Sequence, residues 1–303
     1  MTRAIVGRLA ASLAILFAVA TASFWLLHAA PGGPFATDQR RSAAVQAAMA
    51  ARYGLDLPVW RQYGRAMGRL ARGDLGVSMK RDVAVARLIA EHGPVSAVLG
   101  LGGLIVALGL GVGLGAAAAW RRDTWVDRAV MVGALVGISV PAFVLGPLLI
   151  AGFALRLGWL PAARIDGPAS FVLPAITLGL IYLGTIARLT RAGLLDVLDQ
   201  DFIRTARAKG VTELRILARH ALRLGIRPVV SYLGPAAATM IAGSFVVERI
   251  FQVPGLGTYF VSSVVDRDYP VVTGVFVFYA ALIVALNLAT DAVQGLLDPR
   301  RSA

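Results

Sequence analysis

The chain has 303 residues, of which 57% are hydrophobic and only 16% are charged, and its net charge is +13. A soluble domain of this size needs more charged residues to cover its surface, so the composition excludes an ordinary soluble protein and favours an all-α integral membrane protein over a nucleic-acid binder. The absence of cysteine excludes disulfides and thiolate metal sites, and three scattered histidines have no paired spacing, so no metal site is predicted.

Six segments have about the 20 apolar residues that a helix needs to cross the hydrocarbon core of a bilayer. We predict transmembrane helices at 9–29, 95–119, 129–155, 171–190, 229–247 and 270–290. The first segment ends in LLHAAPGGP, which is also typical of a signal-peptide cleavage region. Its apolar run exceeds the roughly 7–15 residues of a signal peptide, and five further spans follow, so we favour a retained helix.

The basic residues of the short loops predict the orientation, because such residues accumulate on the cytoplasmic side. With a cytoplasmic N-terminus, the cytoplasmic loops receive most of the arginines: Arg121, Arg122, Arg128, the run from Arg191 to Arg227, Arg300 and Arg301. The loops 156–170 and 248–269 then face outward with few positive charges. We therefore expect a multi-pass protein of the cytoplasmic membrane with both termini inside.

The segment 31–94 lies outside in this topology although it contains ten Lys and Arg residues. Translocated segments longer than about 60 residues are exempt from the positive-inside rule. Within it, Val59, Tyr63, Met67 and Leu70 recur at helical spacing before a Gly-Asp break. We predict a small extracytoplasmic cap of short helices.

The loop 191–228 contains the pattern of two short helices. Asp199 or Asp201 can cap the first helix through FIRTARAK, Gly210 can end it in a left-handed conformation, and Thr212 can cap a second helix that ends near Gly225.

The second of these helices is predicted to be amphipathic. Its arginines recur every four residues: Arg215, Arg219, Arg223 and Arg227. Its apolar side is predicted to contain Leu214, Leu217, Ala218, Ala221 and Leu224. A basic helix on anionic lipid headgroups would explain the arginines alone. The small residues Thr205, Ala206 and Ala208 of the first helix instead favour close contact with another protein.

The runs DFIRTARAKGV and HALRLGIRPVV closely resemble the EAA-type loop of permease subunits in binding-protein-dependent ABC importers. Arg204, Thr205 and Ala206 replace the Glu-Ala-Ala of that loop, Gly210 matches its glycine and Pro228 its closing proline. The form RTARAKG resembles the dipeptide/oligopeptide branch of the family. Six further segments, among them SVPAFVLGPLLI and VERIFQVPGLG, resemble the same branch in the same order.

The resemblance implies the type I transmembrane-domain fold of ABC importers with an added extracytoplasmic helical segment. The implied domains are a first transmembrane helix at 1–30, the cap at 31–94, a core at 95–292 that includes the coupling loop 191–228, and a cytoplasmic tail at 293–303. The loop would dock on a separate ATPase through these residues: Asp201, Arg204, Thr205, Ala206, Arg207, Ala208, Lys209, Gly210 and Pro228.

The implied partners are a second, related permease, two ABC ATPase subunits or domains, an extracytoplasmic substrate-binding protein and the bilayer, with no nucleic acid. The chain contains no phosphate-binding G-x-x-x-x-G-K-[ST] loop, so we expect it to bind no cofactor and ATP and Mg²⁺ to be bound by the ATPase subunits. The resemblance leaves the substrate open among dipeptides, oligopeptides, glutathione, nickel chelates and opine-like compounds.

A few residues in or near the spans can have special roles. Glu248, with Pro254 and Gly255, is a candidate outer gate, and the alternatives for Glu248 are a role in binding-protein docking and a locally paired interfacial acid. Asp291 is expected to be an interfacial charge, with a pathway residue as the alternative. Prolines in the spans, at 141, 147, 174 and 235, can kink helices or simply be packed, and glycines at 109, 111, 113 and 115 favour close helix contact.

Two other functional classes fit the composition but not the motifs. A secondary transporter or channel would need an acidic or histidine relay or an inverted repeat, and neither is visible in the sequence. An intramembrane enzyme would need a nucleophile or metal motif such as G-x-S-x-G or H-E-x-x-H, which the sequence lacks.

Overall fold

The computed structural model describes residues 2–35, 43–242 and 244–297, and its regular elements there are helices apart from one isolated β-bridge between Val77 and Ala84. The predicted all-α class is confirmed. The first helices in chain order are α1 (Thr2–Ala29), α2 (Ala43–Tyr53), α3 (Val59–Leu70), α4 (Val85–Trp120), α5 (Trp125–Ser139) and α6 (Ala142–Leu149), which continues as a π-helix (Ile150–Arg156).

A 3₁₀ turn (Pro168–Phe171) leads into the second half of the chain. Its helices are α7 (Val172–Leu198), α8 (Asp201–Ala208), α9 (Glu213–Arg215), a π-helix (Ile216–Ala221), α10 (Leu222–Gly225), α11 (Arg227–Ala242), α12 (Phe245–Ile250), α13 (Leu256–Val265) and α14 (Tyr269–Leu297).

Five helical segments are long and apolar enough to cross a membrane, and their bounds are Ala10–Ala29, Val85–Trp120, Pro168–Leu198, Arg227–Ile250 and Tyr269–Val293. Each contains most of one predicted span. The second is 36 residues long, which at 1.5 Å per residue is about 54 Å and exceeds the hydrocarbon core. The predicted start at residue 95 is therefore ten residues late, because the helix continues beyond the apolar stretch.

The predicted single helix at 129–155 is wrong as a continuous element. Helices α5 and α6 meet at a 106° bend, so this segment is one broken span or a re-entrant loop. Proline removes a backbone donor and disfavours helical geometry in the residue before it. Val140 is accordingly extended, with φ −83° and ψ 117°, and Pro141 precedes α6 with φ −66° and ψ 148°.

The described residues form two compact units. One contains the chain up to Pro94 together with Gly255–Val284, and the other contains Val95–Pro254 together with the residues from Ala285 onward. The predicted cap boundary at residue 94 coincides with a unit boundary. The predicted domains are defined by membrane topology and these units by compactness, so the domain boundaries remain predictions.

The first unit joins α1 to the cap helices and to the start of α14. Buried Ser23 of α1 donates a hydrogen bond to Thr273 at 3.2 Å. The buried carboxylate of Asp268 accepts hydrogen bonds from the Ser78 hydroxyl and from the Met79 backbone N–H at 3.0 Å. These bonds hold the Ser78–Met79 turn of the cap segment against Asp268, which directly precedes α14.

The second unit is built around α7, which glycines of α4 approach closely. A Cβ added at Gly115 of α4 would lie 2.4 Å from the Ala187 carbonyl oxygen of α7, and one at Gly111 would lie 2.8 Å from the Ile186 side chain. The predicted close packing of the α4 glycines is therefore confirmed for these two. Nothing lies within 4 Å of a Cβ at Gly109 or Gly113 in the described part of the chain, because residues two apart occupy different helix faces.

Candidate coupling site

The candidate coupling site is the segment from Asp201 to Gly210 within the loop 191–228. This segment forms α8 and its C-terminal turn. Gln200 is extended and precedes the helix, and no side chain caps the first turn by a hydrogen bond. The prediction that Asp199 or Asp201 caps this helix is therefore wrong. Asp201 lies inside the first turn, where its charge favours the helix N-terminus, and Asp199 instead accepts a hydrogen bond from Arg122 at 3.2 Å.

Ile203 anchors α8 to the rest of the unit. Its side chain is 0% exposed and belongs to an apolar cluster with Leu194 and Val197 of α7 and Ile216 of the following π-helix. Ala206 is half-buried and packs against the same cluster. An eight-residue helix is marginal in water, so this one-sided burial is what holds α8 in place.

The end of α8 is a Schellman turn. The Gly210 N–H bonds to the Arg207 carbonyl at 2.9 Å, and the Val211 N–H bonds to the Ala206 carbonyl at 3.2 Å. Gly210 has φ +77°, which confirms the predicted left-handed stop. The chain therefore reverses sharply and α8 projects as a short compact element.

The exposed surface of α8 and its C-terminal turn is formed by small and charged residues together with Phe202. Its exposed members are Asp201, Phe202, Arg204, Thr205, Arg207, Ala208, Lys209 and Gly210. Arg204 donates to Asp201 at 3.3 Å, and the Thr205 hydroxyl donates to the Asp201 carbonyl at 3.1 Å. This surface can receive another protein closely, because Thr205 and Ala208 add little bulk between the long side chains.

An ion pair joins the two helices of the loop. Arg207 donates to both carboxylate oxygens of Glu213, at 2.7 and 3.2 Å. The hydrogen bond lowers the pKa of Glu213 below its ordinary value and raises that of Arg207, while partial burial opposes both shifts. Sequence reasoning missed this partner, because a separation of six residues across a turn has no regular spacing.

The second helix of the loop differs from its prediction. Thr212 precedes α9 in an extended conformation but makes no side-chain capping bond. The four arginines of the predicted stripe are exposed as expected, yet Leu214 and Ala218 are exposed too, and Ile216, Ala221 and Gly225 are buried. The predicted apolar side is confirmed for Leu217, Ala221 and Leu224, which belong to or pack against the apolar cluster, and is wrong for Leu214 and Ala218. The π-helix at Ile216–Ala221 departs from 3.6 residues per turn and changes the helical phase.

Two contacts of α7 lie near the base of the loop, one with Asp127 of α5 and one with Gly225 of α10. Arg191 donates two hydrogen bonds of 2.6 Å to the carboxylate of Asp127, whose side chain is 5% exposed. Gly193 faces Gly225 so closely that a Cβ at residue 193 would lie 2.2 Å from the Gly225 carbonyl oxygen and 3.3 Å from Pro228. Pro228 thus lies at the base of the loop and not on its projecting helix.

Glu248 of the predicted outer gate is fully buried. Its carboxylate accepts hydrogen bonds from the Ser96 hydroxyl at 2.7 Å and the Ser244 hydroxyl at 2.5 Å. Pro254 is exposed at the end of the same unit, and Gly255 precedes α13 in the other unit. The gate remains a prediction, while the serine bonds favour the locally paired acid, buried in the protein and not interfacial.

No group of three or more His, Cys, Asp or Glu side chains in residues 2–35, 43–242 and 244–297 could hold a metal ion.

The chain is similar to known proteins along nearly its whole length. A family model described as the binding-protein-dependent transport system inner membrane component matches residues 109–303. The dipeptide transport system permease protein DppB of Bacillus subtilis (strain 168) is 40% identical over 301 residues, covering 99% of this chain and 98% of that protein. The oligopeptide transport system permease protein OppB of Escherichia coli (strain K12) is 40% identical over 303 residues, covering 99% of each.

A solved structure shares the fold. An inward-facing conformation of the MetNI methionine ABC transporter superposes with a TM-score of 0.56 and 19% identity, covering 71% of this chain and 96% of that chain. At this identity the likeness concerns the fold alone, which is that of an ABC importer transmembrane domain.

Proposed function

The chain belongs to the family of binding-protein-dependent transport system inner membrane components, as a permease subunit of an ABC importer, and we propose that its segment Asp201–Gly210 couples it to the ATPase. The observation that carries this proposal is the anchoring of α8 through buried Ile203, with small and charged residues on its exposed side. A helix held on one side and free on the other can transmit the movement of a partner to α7.

The exposed small residues provide the test of this coupling site. Thr205→Trp and Ala208→Trp should each obstruct docking sterically, because both side chains are exposed and contribute little to the packing of the loop. We expect assembled complexes with normal substrate-binding-protein affinity but without stimulation of ATP hydrolysis or uptake. Ala206→Trp is a less specific variant, since Ala206 packs against the apolar cluster under α8. Wild-type stimulation in both Thr205→Trp and Ala208→Trp would contradict the assignment.

The proposed substrates are dipeptides or oligopeptides. The support is full-length identity of 40% to relatives named for dipeptide and oligopeptide transport. Reconstituted importer with its cognate binding protein should take up a labelled dipeptide or oligopeptide, and excess unlabelled peptide should compete. Uptake of glutathione, a nickel chelate or an opine without peptide uptake would contradict this proposal.

The proposed assembly contains a second, related permease, two ATPase subunits or domains that bind ATP and Mg²⁺, and an extracytoplasmic binding protein. The chain is proposed to lie in the cytoplasmic membrane. Both termini and the coupling loop then face the cytoplasm, and the cap at 31–94 faces outward. The distribution of arginine in the short loops supports this orientation. Full uptake by this permease and one ATPase without a second permease would contradict the assembly.

A further inference from the structure

The first unit contains a cavity of about 920 Å³ that is bordered by α1, α2, α3 and the start of α14. Apolar residues such as Phe24, Leu55 and Pro270 form part of its lining. The charged residues of the lining are Arg52, Arg61, Arg65, Arg69, Arg72, Asp74 and Asp82. Five arginines and two aspartates leave an excess of three positive charges beside an apolar wall.

The acids of the cavity do not neutralise most of its arginines. Asp82 accepts two hydrogen bonds from Arg52, at 3.0 and 3.2 Å, and Asp74 accepts one from the Gly76 backbone N–H at 2.8 Å. Among the residues that the structure describes, no carboxylate lies within 4.0 Å of the other four guanidinium groups, those of Arg61, Arg65, Arg69 and Arg72. Four of the arginines that line the cavity thus have no carboxylate partner among the described residues.

Three of the five arginines, Arg61, Arg65 and Arg69, come from one face of α3, where they are four residues apart. A Cβ added at Gly54 would lie 3.2 Å from a terminal nitrogen of Arg65, and one at Gly76 would lie 3.9 Å from that of Arg69. The two guanidinium groups therefore lie near the turns at Gly54 and Gly76.

Contacts with α1 place α3 beside the end of a transmembrane span. The Tyr63 and Thr21 hydroxyls are 2.9 Å apart, and His28 and Gln62 share a hydrogen bond of 3.2 Å. Thr21 precedes the end of the span at Ala29 by eight residues, which is about 12 Å along the helix axis. Helix α3 therefore lies beside the C-terminal part of the α1 span.

The amphipathic character of α3 fits a position at the membrane interface. Trp60 is 65% exposed, and the Arg61 guanidinium lies 4.9 Å from the centre of its ring. Tryptophan and arginine are both favoured at the membrane interface, where an aromatic body meets lipid and a charged end meets phosphate.

We propose that this cavity binds an anionic phospholipid, with its phosphate on Arg65 and Arg69 and an acyl chain against the apolar lining. Arginine binds phosphate oxygens through paired hydrogen bonds, and a near-surface arginine strengthens attraction to anionic lipid. A small soluble anion would leave the apolar wall unused. This proposal is independent of the transported substrate and of the coupling site.

Native mass spectrometry of the whole importer tests the proposal, after exchange into phosphatidylcholine micelles doped with phosphatidylglycerol. We expect the wild-type complex to retain one phosphatidylglycerol molecule. The fraction of complexes that retain it should be at least tenfold lower in the Arg65→Gln/Arg69→Gln variant, because each near-surface arginine raises the affinity for anionic lipid about fivefold. Arg87→Gln/Arg156→Gln removes the same charge from exposed positions outside the cavity and should retain the lipid. Arg65→Lys/Arg69→Lys should restore part of the retention, which separates charge loss from misfolding.

Three results would overturn the proposal. The first is equal retention of phosphatidylglycerol and phosphatidylcholine by wild type, and the second is equal phosphatidylglycerol retention by wild type and Arg65→Gln/Arg69→Gln. The third is displacement of the lipid by millimolar glycerol phosphate, which would make the cavity a site for soluble phosphate. If the glutamine variant retains lipid but loses binding-protein affinity, the cavity instead belongs to the docking surface.

Discussion

Gly193 of α7 lies directly against the backbone of Gly225 at the end of α10, because a Cβ on either glycine would approach the carbonyl oxygen of the other, at 2.2 and 2.9 Å. This contact brings the coupling loop back onto the helix from which it departs. Helix α8 is thus joined to α7 through this contact and through the apolar cluster around Ile203, and the proposed coupling would act through both.

Gly193→Ala should destabilise the protein, because the added methyl group has no space between two backbones. Overpacking of this kind costs typically about 1–3 kcal/mol. The melting temperature of the purified complex should fall, and ATPase stimulation should fall with it. Gly113→Ala is the matched control, since no atom in the described part of the chain lies within 4 Å of its Cβ. Equal melting temperatures for the two variants would contradict the close contact.

Gly210→Val should distort the coupling turn, because its φ of +77° costs a β-branched residue on the order of 1–2 kcal/mol. We expect normal membrane insertion and binding-protein affinity, with uptake and ATPase stimulation lost. Gly210→Asn should remain close to wild type, because asparagine tolerates the left-handed region. Stimulated ATP hydrolysis is the measurement, and a wild-type response in Gly210→Val would show that the turn is not needed for coupling.

Asp127→Asn should be strongly destabilising, because it leaves Arg191 without the carboxylate that accepts both of its short hydrogen bonds. Breaking a buried ion pair costs roughly 3–5 kcal/mol, and the partial exposure of Arg191 places this pair toward the lower end. Asp199→Asn breaks the exposed contact with Arg122 and should cost no more than about 1 kcal/mol. Comparable unfolding temperatures for the two variants would exclude a structural role for the Asp127 pair.

The Arg207–Glu213 pair predicts a pH dependence of the coupling loop. Because the folded-state pKa of Glu213 is lowered, its stabilisation is complete above the unfolded pKa of about 4.3 and is lost as the pH falls through the folded value. Both side chains are nearly half exposed, so the effect should be at most about 1 kcal/mol. Hydrogen exchange in α8 should be faster in Glu213→Gln than in wild type at pH 7.

The same comparison at low pH is the control for this pair. Below the folded pKa of Glu213, wild type and Glu213→Gln should exchange at equal intrinsic-corrected rates. A difference that persists at low pH would mean that the glutamine disturbs packing and not the ion pair.

The orientation of the cap can be measured with cysteines, because the natural chain contains none. Arg65→Cys and Lys80→Cys should react with an impermeant thiol reagent added outside intact cells, and Lys80→Cys more slowly because that position is half-buried. Arg219→Cys, in the exposed part of the coupling loop, should react only after the membrane is breached. Labelling of Arg219→Cys in intact cells, with Arg65→Cys and Lys80→Cys labelled only after the membrane is breached, would contradict the proposed topology.

The sequence alone determined the features that depend on residues adjacent in the chain, namely the spans, the turn at Gly210 and the family. The spans could be predicted because a run of about 20 apolar residues is visible in the sequence. The turn at Gly210 could be predicted because a Schellman turn depends on a few adjacent residues. The family could be predicted for the same reason, since RTARAKG and six other segments are contiguous in the chain.

Only the tertiary structure decided which distant residues meet. Asp127 and Arg191 are 64 residues apart, and Gly193 and Gly225 depend on how the loop returns to α7, so no local spacing identifies either pair. The buried side of the second loop helix was predicted only in part, because a π-helix shifts its phase and leaves Leu214 and Ala218 exposed. The break before Pro141 became a bend of 106° and not a mild kink, because a proline fixes where helical hydrogen bonding stops but leaves the new direction to packing.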